Sequence, residues 1–369
     1  MNIEIMLYIY LFICASMIIF DIVTAFVLRR EDKRVVKVSE DFLERVNEQL
    51  KLIRLGRNVD AAHKEYLLKK LKRVSNMTAF DNMLEDAYKE DRDSVRRYLS
   101  QLDSVFIALT DEYSGRDQIE AAYFPYIIKK YHLISDNPSS SIVEAMFRML
   151  NEPYLYSREN AMQALYTTGD CDCIIRALKS IDRSEYFFHS KLLGDGLLNF
   201  TGDGKRLCDR IIEEFENFSV DMQVTLLNFF RFSTGDYTEF TFSLLRDESR
   251  DDEIRYSCIR YLGKYPYKKA YGMLCLLADK SSAEKWQYSA IASSALANYP
   301  CERTKELLKN NLYSPNWYIR FNAAESLEKM GVTYLELVDI IDGNDRYAAE
   351  ILRYRLQREN MRERRTAAV

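Results

Sequence analysis

Apolar and polar positions follow a helical period along most of this chain, and one arrangement of them recurs. Near the C-terminal end it reads Ile319, Arg320, Phe321, Asn322, Ala323, Ala324, Glu325, Ser326, Leu327 and then Gly331. The same offsets appear upstream as Ser157, Arg158, Glu159, Asn160, Ala161, Met162, Gln163, Ala164, Leu165 and Gly169. Looser copies are anchored on Leu198, Phe230, Leu262 and Leu296, so successive anchors fall 31 to 34 residues apart. A fixed period of that size predicts helical hairpins stacked side by side.

In each hairpin the second helix carries the anchor. First helices are predicted over 142–150, 173–181, 205–215, 237–245, 270–277, 305–312 and 335–341. Asp170, Asp203, Asp221, Asp236 and Asp251 stand where helices begin, as N-caps. Gly169, Gly202, Gly235 and Gly331 stand where second helices end, as left-handed caps, and Pro266 and Pro300 take the stop role elsewhere. Four residues before the anchor, Ala161, Gly194, Cys258, Ala292 and Ala323 are small enough for neighbouring helices to approach closely.

The pattern differs at the N-terminus. Residues 5–28 are apolar apart from Asp21, Thr24 and Ser16, and at about 1.5 Å per residue they extend about 36 Å, enough to span a bilayer. No Lys or Arg precedes them, whereas Arg29, Arg30, Lys33, Arg34 and Lys37 follow. The positive-inside rule then places the N-terminus outside and the remainder in the cytoplasm. Asp21 is an ionisable group at membrane depth, where such groups face a partner or a polar stripe; Thr24 and Cys14 share that stripe. Residues 29–73 hold 14 Lys or Arg against 8 Asp or Glu, a basic collar suited to anionic headgroups or to a solvated helix face.

Between the span and the array, helices are predicted over 39–55 (Phe42, Val46, Leu50, Ile53, stopped by Gly56), 60–74, 78–88, 93–110 and 118–132. Pro125 implies a kink in the last of these or a start nearer Tyr126. The loop-like run 136–141 marks the boundary. The organisation is thus a transmembrane helix (5–28), a basic juxtamembrane region with a helical cap or degenerate repeats (29–138), a repeat array (139–360) and a basic tail (361–369). The tail's helix carries Arg353, Arg355, Arg358, Arg362, Arg364 and Arg365, read as a polar cap closing the array.

Composition agrees with long helices joined by short connections. Of 369 residues, 12 are Gly and 6 are Pro, too few for a chain of many tight turns. A net charge of −4 argues against a nucleic-acid partner for the whole protein. The seven cysteines are odd in number and scattered, as expected of buried thiols in a reducing compartment, and Cys171-Asp-Cys173 lacks a second ligand pair for zinc.

The Arg158…Ala161…Ala164-Leu165…Gly169 and Ile319-Arg320…Ala323…Ser326-Leu327…Gly331 sets resemble the HEAT-repeat superfamily, in the short form also seen in phycobilisome-lyase-type repeats. Lys191 and Ser289 replace the arginine in the second and fifth copies. The resemblance, over roughly residues 140–360, implies an all-α fold: an α-solenoid, a superhelix of antiparallel helix pairs preceded by a single transmembrane helix. It also implies that second helices line a concave face. Positions five and two before each anchor then point to a protein partner: Asn160 and Gln163, Thr225 and Asn228, Ser257 and Arg260, Asn322 and Glu325, with Ser294 in the same row. The second copy departs, with Leu193 and Gly196. Tyr256, Tyr288, Tyr318 and Phe321 are candidate aromatic anchors, while Trp286 and Trp317 are read as staples at the starts of two helices.

Nothing in the chain spells out catalysis. His63, His132 and His189 have no metal-pair spacing, and no nucleophile elbow or dinucleotide fingerprint occurs. Gly194-Asp-Gly196 and Gly202-Asp-Gly204 lack the strand–loop–helix setting of a phosphate loop; close helix packing explains the first and a helix cap the second. No cofactor or metal is expected. The leading expectation is a membrane-anchored cytoplasmic scaffold that binds a protein. The resemblance implies a membrane-bound enzyme, such as a polysaccharide-making glycosyltransferase, as one kind of partner. A lyase-like or other enzymatic array, and an outward-facing envelope or adhesion module, are the alternatives.

Overall fold

Between Ile3 and Leu55 the chain has neither glycine nor proline, so nothing interrupts its helical hydrogen bonding. In the computed structural model these residues form one helix, α1 (Ile3–Arg54, 52 residues), about 78 Å long at 1.5 Å per residue. The separate helices foreseen at 5–28 and 39–55 are therefore one, and the boundary at residue 29 is no break. Residues 3–113, 118–134, 141–279 and 285–355 are described; the chain is 79% helical, and no strand occurs among the described residues. The loop at 136–140 and the tail beyond 355, with Arg358, Arg362, Arg364 and Arg365, lie outside them.

The two ends of α1 meet different surroundings. Tyr8–Val27 has a mean hydropathy of 2.3 and none of it is covered by the rest of the chain, and it is long and apolar enough to cross a membrane. Toward the other end Phe42, Val46, Leu50 and Ile53 are buried, as their spacing predicts, with Phe42 edge-on to Phe80 at 5.4 Å. Gly56 ends the helix at φ +74°. Its N–H donates to the Ile53 carbonyl and that of Arg57 to Leu52, the paired bonds of a Schellman cap.

The chain divides into two units, Met1–Phe188 with Phe200–Gly204, and His189–Asn199 with Lys205–Val369. In the first, α1 is followed by α2 (Ala61–Leu71), α3 (Val74–Glu90), α4 (Arg92–Ser100), α5 (Asp103–Tyr113), α6 (Gln118–Lys130), α7 (Ser141–Met149), α8 (Leu155–Tyr166) and α9 (Cys171–Asp182). Helix α1 packs on α3 and α4, α2 on α5, and α6 on α8. The helix foreseen over 93–110 is two, because the chain turns at Gln101, whose Oε1 accepts the Val59 N–H at 2.8 Å, and Leu102 is buried. Pro125 lies inside α6 and removes the N–H due to the Ala121 carbonyl. Nearby, Asp81 is buried and accepts from Lys130 Nζ and Tyr131 Oη, both at 2.7 Å, and from Tyr123 Oη at 2.9 Å. With its carboxylate satisfied on all sides, this cluster clamps α3 to α6 and the turn after it.

The second unit holds α10 (Ser190–Leu197), α11 (Gly204–Glu213, whose first residue belongs to the other unit), α12 (Val220–Ser233), α13 (Thr238–Arg246), α14 (Asp252–Lys264), α15 (Tyr271–Asp279), α16 (Trp286–Ala295), α17 (Glu302–Asn311), α18 (Trp317–Lys329) and α19 (Tyr334–Ile341), and residues 346–355 are also helical. Helices two apart pack together, α10 on α12, α12 on α14, α14 on α16, α16 on α18 and α15 on α17, and so do the consecutive pairs α13 and α14, α15 and α16, and α17 and α18. Leu308, Leu312, Leu327, Leu337 and Leu352 share one core at the C-terminal end.

The caps are partly as foreseen. Gly169 and Gly331 have φ of +65° and +72°, and Asp170 and Asp251 accept from the N–H groups of Asp172 and Glu253. Asp221 instead lies within the first turn of α12, which Ser219 caps through Met222 N–H. Gly202 and Gly235 do not take positive φ. They are needed for space: a Cβ on Gly202 would strike the Gly169 carbonyl, and one on Gly235 would stand 2.6 Å from the Tyr265 ring. Gly194, read as the close-packing glycine, has only ordinary contacts, whereas a Cβ on Gly263 would lie 2.8 Å from Ala295 Cα and Cβ.

Two stability predictions follow from this packing. Gly263→Ala is expected to destabilise by about 1–3 kcal/mol, overpacking the α14–α16 seam in spite of alanine's helix propensity. Gly272→Ala, at a position with nothing within 4 Å, is expected to stabilise by up to about 1 kcal/mol; urea midpoints of the detergent-solubilised chain measure both. His63 is buried, with Nε2 2.8 Å from Tyr98 Oη, and burial, helped by the Arg45 charge, lowers its pKa to about 4 from 6.5. As pH falls from 6.5 to 4 the unfolded chain takes up a proton that the folded chain refuses, so stability falls through that window. His63→Gln should lose less stability than the parent over it.

Candidate functional site

The row of polar residues five and two positions before the anchors is held more tightly than a binding face requires. In the first unit Asn160 Nδ2 donates to the Ala122 carbonyl at 3.0 Å, beside the carbonyl that Pro125 leaves without a helical partner; Gln163 is half-buried. In the second, Thr225 is 2% exposed and returns its hydroxyl to the Asp221 carbonyl. Ser257 is likewise 2% exposed, its Oγ buried without a partner. These two are therefore not offered to a ligand, and the row is shorter than the periodicity suggests. The reason is geometric: a helix packed between two others has little free surface, and the fifth position before the anchor falls toward a seam. Asn322 shows the same use, donating to the Ala290 carbonyl at 2.8 Å. Glu325 pairs with Arg355 at 3.2 Å and Lys329 at 3.6 Å. Asn228, Arg260 and Ser294 remain half-buried.

Around Arg260 the second unit opens into a cleft of about 480 Å³ lined by α12, α14, α16 and α18, with no carboxylate in its lining. Arg231, Arg260, Lys264 and Lys329 supply the charge, and Ser294, Asn298 and Asn322 the neutral polar groups. Burial, and then the neighbouring Arg260 charge, lowers the Arg231 pKa.

An aromatic cluster occupies another surface of the same unit. Trp286 stacks on Tyr318 at 5.1 Å and Trp317 on Phe321 at 4.9 Å, while Trp317 and Tyr318 meet edge to face at 5.2 Å. Trp317 and Tyr318 are about half exposed, at 50% and 55%. Both tryptophans are the first residues of their helices and not the residues before them; Trp317 and Tyr318 form an exposed aromatic surface, with Trp286 half-buried beside it. Tyr256 and Tyr288, named from the sequence as interface anchors, are buried against each other at 4.6 Å.

The two residues singled out on the span differ: Asp21 is exposed and Thr24 half-covered. Among the described residues no group of three or more His, Cys, Asp or Glu is placed to hold a metal. Cys171, Cys173, Cys208, Cys258 and Cys275 are buried free thiols, and burial raises the pKa of Cys173 and Cys208 to about 11. Cys301 departs from that pattern: it is exposed, and its hydrogen bonds with Thr304 and Tyr271 lower its pKa. The cleft itself was missed from the sequence, although Arg260 and Asn322 were named, because Arg231 and Lys264 stand one and two residues after their anchors, where helices commonly carry cations.

No known protein-family profile matches this chain, and no curated protein does.

If Asn160 and Asn322 serve the seams, Asn160→Ala and Asn322→Ala will each lower stability by about 1 kcal/mol, the net worth of one hydrogen bond. Trp317→Ala is expected to leave the unfolding midpoint nearer the parent's than either, and chemical denaturation of the three variants ranks them.

Proposed function

We propose that this chain is a membrane-anchored scaffold: a HEAT-like stack of helix pairs that holds a protein partner beside the bilayer. The observation that carries the reading is α1. Its apolar residues 8–27 are uncovered by the chain, and exposed apolar area of that extent needs lipid around it. The same helix runs without a break into the packed core of the first unit, so the body is coupled to the span and not hung from a loose linker.

Bonds between positions about one period apart support the stacked arrangement. Lys264 Nζ reaches the Arg231 carbonyl, Asn298 the Gly263 carbonyl, Asn322 the Ala290 carbonyl and Ser326 the Ser293 carbonyl, at separations of 33, 35, 32 and 33 residues. The basic flank after residue 28 favours a cytoplasmic body. The exposed cluster of Trp317, Tyr318 and Trp286 has the composition of interface hot spots, and Asp21 on the span is a group that a second membrane segment would satisfy. A membrane-bound enzyme is the partner class that joins these two features.

Topology and partner binding are tested in intact cells. A C-terminal epitope should resist added protease until the membrane is permeabilised. A photo-crosslinking amino acid at position 317 should give one discrete adduct with a membrane protein. Digestion in intact cells would overturn the orientation, and a position-317 variant that forms no protein adduct would overturn the docking surface.

A further inference from the structure

The cleft on α12, α14, α16 and α18 gathers positive charge that the chain does not neutralise. A cation in the last turn of a helix is stabilised by the free carbonyls there. That accounts for Lys264, whose Nζ donates to the Arg231 carbonyl at 2.7 Å. Arg231 too lies in the last turn of its helix, but the partial charges there leave both guanidinium groups without a countercharge. Arg231 Nε is buried with no hydrogen-bond partner; the guanidinium lies 4.8 Å from the Phe232 ring and within range of the Arg260 charge. Among the described residues neither Arg231 nor Arg260 is paired with a carboxylate. Lys329 is offset by Glu325 at 3.6 Å, but Glu325 is shared with Arg355. An arginine left part-desolvated beside a like charge is costly, and such groupings concentrate where a ligand supplies the missing countercharge.

We propose that this cleft binds a small phosphate-bearing ligand, its phosphate group held by Arg231 and Arg260 with Lys264 and Lys329 completing the charge. A phosphate monoester carries about −1.5 to −2 charges and three acceptor oxygens, against one charge and two oxygens on a carboxylate. It therefore satisfies two guanidinium forks at once. The volume, about 480 Å³, lies in the range of small-molecule sites and leaves room beyond the phosphate. That remaining space is lined by Ser294, Asn298 and Asn322 together with Ile291, Ala295 and Ala297, and by no aromatic ring, which suits a hydroxyl-bearing body such as a sugar better than a flat base. The proposal is independent of the scaffold reading, and either can fail without the other.

The test uses the full chain in detergent. Titration calorimetry measures binding of pyrophosphate, glucose 1-phosphate, dihexanoyl phosphatidic acid and a polyglutamate peptide to the parent, Arg260→Ala, Arg260→Lys and, as a control outside the cleft, Arg303→Ala. At least one phosphate probe should bind the parent and Arg303→Ala equally, and at least tenfold more weakly to Arg260→Ala. Preference for glucose 1-phosphate or for the short lipid supports the proposal and identifies the source of the phosphate. Should Arg260→Ala fail to fold, Arg260→Lys, which keeps the charge and loses the fork, is expected to show the same loss. The proposal is overturned if no phosphate probe binds, if the Arg260 variants bind all of them as the parent does, or if polyglutamate binds more tightly than every phosphate.

Discussion

Much of the second unit depends on one constraint, the close approach of each second helix to its counterpart one period away. Ala292 and Ala323 are fully buried at equivalent places in α16 and α18, and Gly263 of α14 stands where even a methyl group would meet Ala295. Backbones this near one another bring carbonyl groups within reach of side chains on the next helix. That is why Asn298, Asn322 and Ser326 all end on carbonyls of the preceding second helix. Small residues set the distance, and the polar residues then bond across it.

The same closeness explains what could and could not be read from the amino-acid pattern. The helices and five of the six anchors were legible, because each depends on local periodicity and on stop residues such as Gly169 and Gly331; the sixth anchor, Leu198, is 47% exposed, and its neighbour Leu197 is buried instead. The function of individual glycines was not legible. Gly202 and Gly235 look like caps by position, yet each makes room for a residue distant in sequence, Gly169 in one case and Tyr265 in the other, and no local pattern records such an approach. Thr225 and Ser257 failed as binding residues for a related reason: helical spacing says which face a residue occupies, but not how far the neighbouring helix covers that face.

The N-terminal helix teaches the complementary lesson. Its apolar stretch and its buried stripe (Phe42, Val46, Leu50, Ile53) were both visible, and they were separated because the residues between them are charged. Charge does not end a helix; a breaker does, and none occurs before Gly56. In the intervening turns Arg29, Arg30 and Lys37 are exposed, and these turns are carried by the helix on either side of them.

Two polar clusters, one in each unit, are resolved in opposite ways, and that contrast locates the site. In the first unit the Asp81 carboxylate is met by Lys130, Tyr123 and Tyr131, so the network is complete within the chain and has nothing left to bind. In the cleft of the second unit the charges are of one sign and Arg231 Nε has no acceptor. A fold of close-packed helices can leave a cation uncompensated where stacked helix ends hold it in place: carbonyl groups at the ends of α12 and α14 lower the cost of gathering Arg231 and Lys264, as Lys264 on the Arg231 carbonyl shows. Those carbonyls carry partial charges only, so the one that holds the Lys264 ammonium does not neutralise it. The packing of these helix ends thereby gathers the positive charge on which the proposed anion site rests.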